Sequence, residues 1–211
     1  MNNTEFINYL KELNIEATEE KLDQLEKYYE LLVETNKVTN LTRIIEKEEV
    51  YLKHFYDSLT ITKEIDLNKV EALCDVGTGA GFPGIVLKIF YPHLKVVLID
   101  AREKKTKFLN KVIKELNLKD IEAIHIRAEE YHEKFDIVTA RAVANIEKLL
   151  DYTMHLLNDK GKLIAMKGDI EEELSKEVQE KINKKYKITS INKFILPIEH
   201  SKRSLIAIEN K

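Results

Sequence analysis

Cysteine is nearly absent from the 211-residue chain: Cys74 is the single one, so no internal disulfide can form. No uninterrupted aliphatic run exceeds four residues, Val96–Ile99 being among the longest, whereas a membrane-spanning helix needs about 20. The first residues, Met1-Asn2-Asn3-Thr4-Glu5, have neither the basic region nor the apolar stretch of a secretory leader, and a cytoplasmic protein is expected. Repeats, low-complexity tracts and Gly/Ser linkers are missing as well. So is any excess of positive charge: 34 basic and 37 acidic residues leave a net charge of −3, which argues against nucleic-acid binding by bulk charge. The six histidines show no HxxxH or Cys/His spacing, and no metal site is expected.

What is present describes a globular protein. Hydrophobic residues make up 44% and charged ones 34%, and a chain of this length buries roughly 70% of its unfolded surface. Residues 5–13 and 19–34 have helical spacing, with Leu22, Leu25, Tyr28, Tyr29 and Leu32 on one face and Thr4 and Thr18 as N-caps. A polar stretch, Asn36 to Thr42, interrupts the pattern, which resumes to about Ile65. From residue 70, short apolar runs alternate with helical segments, the signature of βαβ units. Strands are expected at 70–75, 95–100, 121–126, 135–140 and 162–167, and helices at 84–91, 102–116, 146–157 and 170–184. The runs 186–196 and 204–208 are joined too closely for a helical crossover and should pair antiparallel at a sheet edge. The expected organisation is a helical extension over 1–66 and an α/β core over 67–211, forming a single compact unit.

Four of the six glycines fall in Asp75-Val-Gly77-Thr78-Gly79-Ala-Gly81-Phe82-Pro-Gly84, between one strand and the next helix. Such crowding lets a ligand approach the backbone at a helix N-terminus. Gly79-Ala-Gly81-Phe-Pro-Gly84 satisfies the dinucleotide pattern, with Asp100 placed 21 residues after Gly79. An NAD(P)-dependent oxidoreductase is therefore one reading, which hydride transfer at the nicotinamide absorbance would identify. Read one step earlier, the segment is Asp-x-Gly-x-Gly-x-Gly, which resembles the loop of class I S-adenosylmethionine-dependent methyltransferases. A carboxylate such as Asp75 suits a sulfonium better than a pyrophosphate. A third reading is a non-enzymatic regulator that binds S-adenosylmethionine or a nucleotide.

Further motifs in order, Asn40-Leu41-Thr42, His54-Phe-Tyr-Asp57-Ser58-Leu59, Arg127-Ala128-Glu129, Thr139-Ala-Arg141-Ala-Val-Ala144 and Lys167-Gly168, resemble one family through nearly the whole chain. It is the bacterial small-subunit (16S) rRNA guanine-N7 methyltransferases, also called glucose-inhibited division protein B. The resemblance implies a Rossmann-like, seven-stranded sheet with an antiparallel last hairpin and an N-terminal helical extension. It implies S-adenosyl-L-methionine as methyl donor and a guanosine N7 of small-subunit rRNA as target, reached free or within the 30S subunit or an assembly intermediate, by a monomer. Gly77 and Phe82 would line the donor pocket with Asp75, Thr78, Gly79 and Ala101; Asp100 would hold the ribose, and Ala128 and Glu129 would border the adenine. Arg141 would stand at the methionine end beside the target base. Ala101-Arg102 departs from the Ser-containing sequence of many relatives.

Guanine N7 carries an in-plane lone pair and no proton, so its methylation needs positioning rather than a general base. The chain has no Asn-Pro-Pro-Tyr or Asp-Pro-Pro-Tyr segment of the kind that serves exocyclic amines. Arg141, directly after an apolar strand, suits a carboxylate, a phosphate or a stacked base, or else an ion pair with Asp75 or Asp136. His54 and Asp57, three residues apart, are placed to orient the N-terminal segment against the glycine loop. RNA contacts are expected from local basic residues: Arg43, Lys104, Lys105, Lys167 and Arg203. Seven Lys/Arg and one acid lie between Lys181 and Arg203.

Overall fold

The computed structural model describes residues 1–211. Seven strands form one sheet: β1 (Ala72–Val76), β2 (Lys95–Asp100), β3 (Ile121–His125), β4 (Phe135–Arg141), β5 (Leu157–Lys167), β6 (Tyr186–Ile195) and β7 (Lys202–Asn210). Their order is β3-β2-β1-β4-β5-β7-β6, parallel except for β7, which runs antiparallel to both β5 and β6. Successive side chains in a strand point to opposite faces. Leu73, Leu98, Ile137 and Ile164 therefore enter one apolar layer, while Cys74, Val97, Val138 and Leu163 enter the other. Cys74 is buried there, its thiol pKa raised by burial, in keeping with a packing role.

Helices cover both faces. On the first lie α1 (Asn3–Glu12), α2 (Glu19–Asn36), α5 (Gly84–Phe90) and α6 (Glu103–Glu115); on the second lie α7 (Ile146–Thr153) and α8 (Lys176–Lys185). A further helical run joins α2 to the sheet: α3 (Lys47–Val50), a π-helical stretch Tyr51–Tyr56, α4 (Asp57–Leu59) and a 3-10 turn Thr60–Lys63. Phe6, Leu25, Tyr28 and Phe55 share one apolar cluster with Leu73, Ile85 and Leu98, so residues 1–66 close the same core as the sheet. The chain has no helix long and apolar enough to cross a membrane.

Several boundaries differ from the sequence expectation for local reasons. Asn2, rather than Thr4, caps α1: its side chain accepts from Glu5 N–H while Glu5 returns a bond to the Asn2 N–H. Thr18 caps α2 as expected. The helix expected from 170 starts at Lys176, because the Ser175 side chain accepts from Val178 N–H and sets the first turn there. β5 begins at Leu157, five residues early, with an irregularity in its pairing to β4 between Phe135 and Ile137.

Candidate active site

β1 lies between β2 and β4, where the strand order reverses, and ligands of open α/β sheets bind beyond the carboxyl ends of the strands at such a point. The loop leaving β1 is tied to β2: Gly77 and Thr78 N–H donate to Ile99 O at 2.8 and 3.1 Å, and Gly79 N–H donates to Asp100 Oδ2 at 2.9 Å. From the other side Tyr28, wholly buried on α2, donates its hydroxyl to Ala80 O.

Asp75 sits under this loop. Its Oδ2 accepts from Thr78 Oγ1 at 2.6 Å and from Gly84 N–H at 2.8 Å, and it is wholly buried. The expectation that Asp75 faces a cationic ligand is thereby corrected: the carboxyl holds the loop from beneath and lines neither lobe of the cleft. Burial pushes its pKa from 3.8 to about 7.

Two cavity lobes meet at Gly77, a larger one of about 430 Å³ and a smaller one of about 180 Å³. Asp100, Ala101, Ala128 and Glu129 line the smaller lobe; Gly77, Thr78, Gly79, Phe82 and Arg141 line the larger. Nine of the ten residues expected around a cofactor thus flank one two-lobed cleft, and Asp75 is the exception. A Cβ at Gly77, where φ is +65°, would lie 2.6 Å from Val143 Cγ2 in the neck between the lobes. At Gly79 a Cβ would meet nothing nearer than 4.0 Å, so the loop surface there is open. The Asp100 carboxylate uses one oxygen on Gly79 N–H and the other on Arg102 N–H at 2.9 Å. Two of its roughly four acceptor positions remain for hydroxyl groups. These residues fit an elongated ligand with a diol at one end and an amino-acid group at the other.

In the larger lobe Arg141 is fixed on three sides. Its Nη1 donates to Lys53 O at 2.8 Å and to Asp57 Oδ2 at 3.0 Å, and Nη2 lies 3.1 Å from His54 Nδ1. The guanidinium also stands over the Phe82 ring, 5.4 Å from its centroid. His54 Nδ1 lies between the Arg141 guanidinium and Lys53 O, each at 3.1 Å; in the tautomer that accepts from the guanidinium, Nε2–H donates to Thr42 Oγ1 at 3.0 Å. Burial and the charge of Arg141 lower the His54 pKa from 6.5 to about 3, which keeps the ring neutral at physiological pH. The ring stacks on Phe82 with centroids 4.4 Å apart. Three of the five Arg141 N–H groups are engaged and two, Nε–H and one on Nη2, remain for a ligand.

Asp57 has a second partner, Arg203 Nε at 3.0 Å, so one buried carboxylate bridges two arginines that both line the cleft. The alternative of an ion pair between Arg141 and Asp75 or Asp136 is not realised: Asp75 is held by Thr78 and Gly84, and Asp136 accepts from Glu71 and Ala72 N–H at the far end of the sheet. Among the expected RNA contacts, Arg43 and Lys104 are exposed. Lys105 is a correction. It is buried and donates to the Leu41 carbonyl, pinning the Asn40–Thr42 segment against α6. Lys167 is held by Glu173 at 2.7 Å and by Ala144 O, and Arg203 by Asp57, so neither is a free surface cation. Sequence reasoning missed Tyr28, whose spacing marked it as core only, and Asp57 as a bridge, since its partners lie far along the chain.

The pKa values imply opposite contributions to acid stability. For His54, folded about 3 against 6.5, the unfolded chain binds more protons between those values, so stability present above pH 6.5 is lost as pH falls toward 3. For Asp75, folded about 7 against 3.8, the folded chain binds more protons, so stability present below pH 3.8 is lost as pH rises to 7. In urea unfolding at pH 4.5, 5.5 and 6.5, His54→Gln should flatten the loss of stability on acidification relative to the parent, and Asp75→Asn should steepen it. Parallel curves for all three proteins would contradict both assignments.

The comparisons with known proteins agree with this geometry. Residues 21–205 match the GidB family, described as rRNA small subunit methyltransferase G. Ribosomal RNA small subunit methyltransferase G of Macrococcus caseolyticus is 50% identical over 173 residues, covering 80% of this chain and 73% of the relative. That of Bacillus subtilis is 42% identical over 215 residues, covering 99% and 90%. A SAM-dependent methyltransferase from Aquifex aeolicus aligns with a TM-score of 0.58 at 19% identity, over 77% of this chain and 93% of its own. A ribosomal protein L11 methylase from Lactobacillus delbrueckii subsp. bulgaricus aligns at 0.55 and 19%, over 75% and 79%. The solved structures share the fold and the curated relatives share the sequence: the chain belongs to the rRNA small subunit methyltransferase G family, S-adenosylmethionine-dependent enzymes that methylate small-subunit rRNA.

Proposed function

We propose that the protein methylates N7 of one guanosine in 16S rRNA, acting in the cytoplasm as a monomer on the 30S subunit or an assembly intermediate. S-adenosylmethionine, when bound, supplies a methyl group on a positively charged sulfur. The residues that would hold it are Asp100 and Ala101 with Ala128 and Glu129 in the smaller lobe, and Gly77, Thr78, Gly79 and Phe82 where the lobes join. Arg141 keeps two N–H donors toward the larger lobe, where a target base and the amino-acid end of the donor would meet.

One observation carries the choice of N7: the one carboxylate and the one imidazole that line the larger lobe are both engaged by arginines. His54 Nδ1 lies against the Arg141 guanidinium, both Asp57 oxygens accept from arginines, and Asp75 lies beneath the loop. A target that must lose a proton, such as an exocyclic amine or a ribose hydroxyl, would find no carboxylate or imidazole free of an arginine partner here. Guanine N7 needs none, and the work left to the protein is alignment of the lone pair with the methyl group. The test is transfer of radiolabelled methyl to small-subunit rRNA, offered free and in ribosomal particles, with mapping of the labelled base. Label at one guanine N7 is expected; label on an amine or hydroxyl would refute the reading.

Asp100 gives a prediction for the smaller lobe. Asp100→Ala removes the acceptor for a diol and the tie to Gly79 N–H. S-adenosylmethionine and S-adenosylhomocysteine should both bind roughly ten- to a hundredfold more weakly, since a hydrogen bond to a charged group contributes about 1.5–3 kcal/mol. Calorimetry with the two ligands checks it, and weakening of only one would contradict a ribose role.

A further inference from the structure

Among the residues lining the larger lobe are three aromatic side chains, Phe82, His54 and Phe194. Phe82 and His54 are stacked on each other and Phe82 packs against Tyr28 and Phe55, so both rings are committed to the wall. Phe194, on β6, is half-buried and packs against the apolar cluster of the first face, but no other ring of the chain stacks on it; the exposed Lys63 ammonium stands 5.5 Å from its centroid. Phe194 is paired across the ladder with Arg203 of β7. Directly opposed residues in an antiparallel pair project to the same face, about 5 Å apart at Cβ. Arg203 uses Nε on Asp57 and Nη1 on Ser201 Oγ and Lys202 O, which leaves both Nη2 hydrogens without a partner.

We propose that Phe194 is the stacking platform for the target guanine, with the Nη2 group of Arg203 beside it to receive a phosphate of the same strand. Guanine N7 faces the deep, narrow major groove of an A-form helix, so an enzyme reaches it on a single-stranded or extruded base, which it holds against aromatic or apolar side chains. Such a surface needs a ring that is not already stacked, next to a backbone contact, and Phe194 is the one ring lining the larger lobe with no aromatic partner in the chain. The exposed Lys63 ammonium over the ring would shift to the RNA backbone as the base arrives. The antiparallel β6–β7 pair thereby has a function in the site: it carries the substrate wall opposite the glycine loop.

The inference rests on the rRNA methyltransferase reading and is tested on the full-length protein with small-subunit rRNA as the probe. Because the chain has no tryptophan, Phe194→Trp places a single fluorescent reporter at the platform. Stacking on an aromatic side chain supports binding strongly enough that Phe194→Leu, which keeps the apolar bulk, should lower kcat/KM for rRNA roughly tenfold or more. Its effect should fall mainly on KM, with the dissociation constant of S-adenosylmethionine unchanged within about twofold. Phe194→Trp should restore kcat/KM, and saturating rRNA should quench its emission. A leucine variant with kcat/KM within about twofold of the parent, or a tryptophan whose emission ignores rRNA, overturns the proposal. Where the leucine variant does not fold, the quenching experiment decides. If the parent protein transfers no methyl to small-subunit rRNA, the functional reading fails first and the platform falls with it.

Discussion

Alanine at Arg141 should lower kcat on small-subunit rRNA by about a hundredfold or more, while the affinity for S-adenosylmethionine changes by less than about fivefold. The reason is the way the guanidinium is held. Lys53 O, Asp57 and His54 fix it from three sides and Phe82 supports its face, so its two remaining donors point in set directions. A donor fixed in advance stabilises a transition state without reorganisation, and removal of one such donor typically costs ~10²–10³ in rate. Arg141→Ala also leaves Asp57 with Arg203 alone, and loss of a partner from a largely buried ion pair destabilises by about 2–3 kcal/mol after allowance for the cleft water that reaches the guanidiniums. Arg141→Lys separates the two effects. It keeps a charge near Asp57 but not the planar fork, so stability should recover more than turnover does. Steady-state kinetics beside urea unfolding of both variants would read this out, and full turnover in the alanine variant would remove Arg141 from the reaction centre.

A single methyl group added at Gly81 should destabilise the fold by about 2–5 kcal/mol, a drop of roughly 4–20 °C in Tm for a chain of this size. Two costs combine. The backbone there has φ +102°, outside the region that side chains with a Cβ favour, at about 1–2 kcal/mol. The new Cβ would also lie 2.6 Å from Ile85 Cγ1, 2.6 Å from the Tyr28 hydroxyl and 2.9 Å from Leu109 Cδ2, and overpacking adds about 1–3 kcal/mol. These neighbours come from α5, α2 and α6, so relief toward one presses on another. Gly77→Ala is the contrast, because its new methyl meets the side chain of the exposed Val143. That variant should fold with a smaller loss and bind S-adenosylmethionine poorly, the neck between the lobes having narrowed. Thermal unfolding and calorimetry of the pair check the assignment, and a Gly81→Ala protein as stable as the parent would sink it.

Features encoded within a few residues of one another were legible before any coordinates. The βαβ alternation, the antiparallel last pair, the glycine loop after β1 and the acid ending β2 each rest on periodicity or spacing, and each stands in the fold where spacing placed it. Lys105 shows where local signals stop. Along α6 it reads as one of several solvated lysines, and only the Asn40–Thr42 segment, packed across that helix, buries it and turns it into a strut. Asp57 shows the same limit more sharply: its two arginines lie 84 and 146 residues away, on strands that meet only because β4, β5 and β7 are neighbours in the sheet. Asp75 was legible as part of the loop but not as its buried underside. The sequence by itself determined the architecture and the strand ends that bear the site, because backbone periodicity and glycine sterics act locally. Which carboxylate holds which cation, and which aromatic ring stays unstacked, was decided by the tertiary structure, because charge pairing and stacking depend on distances between segments that meet only on folding.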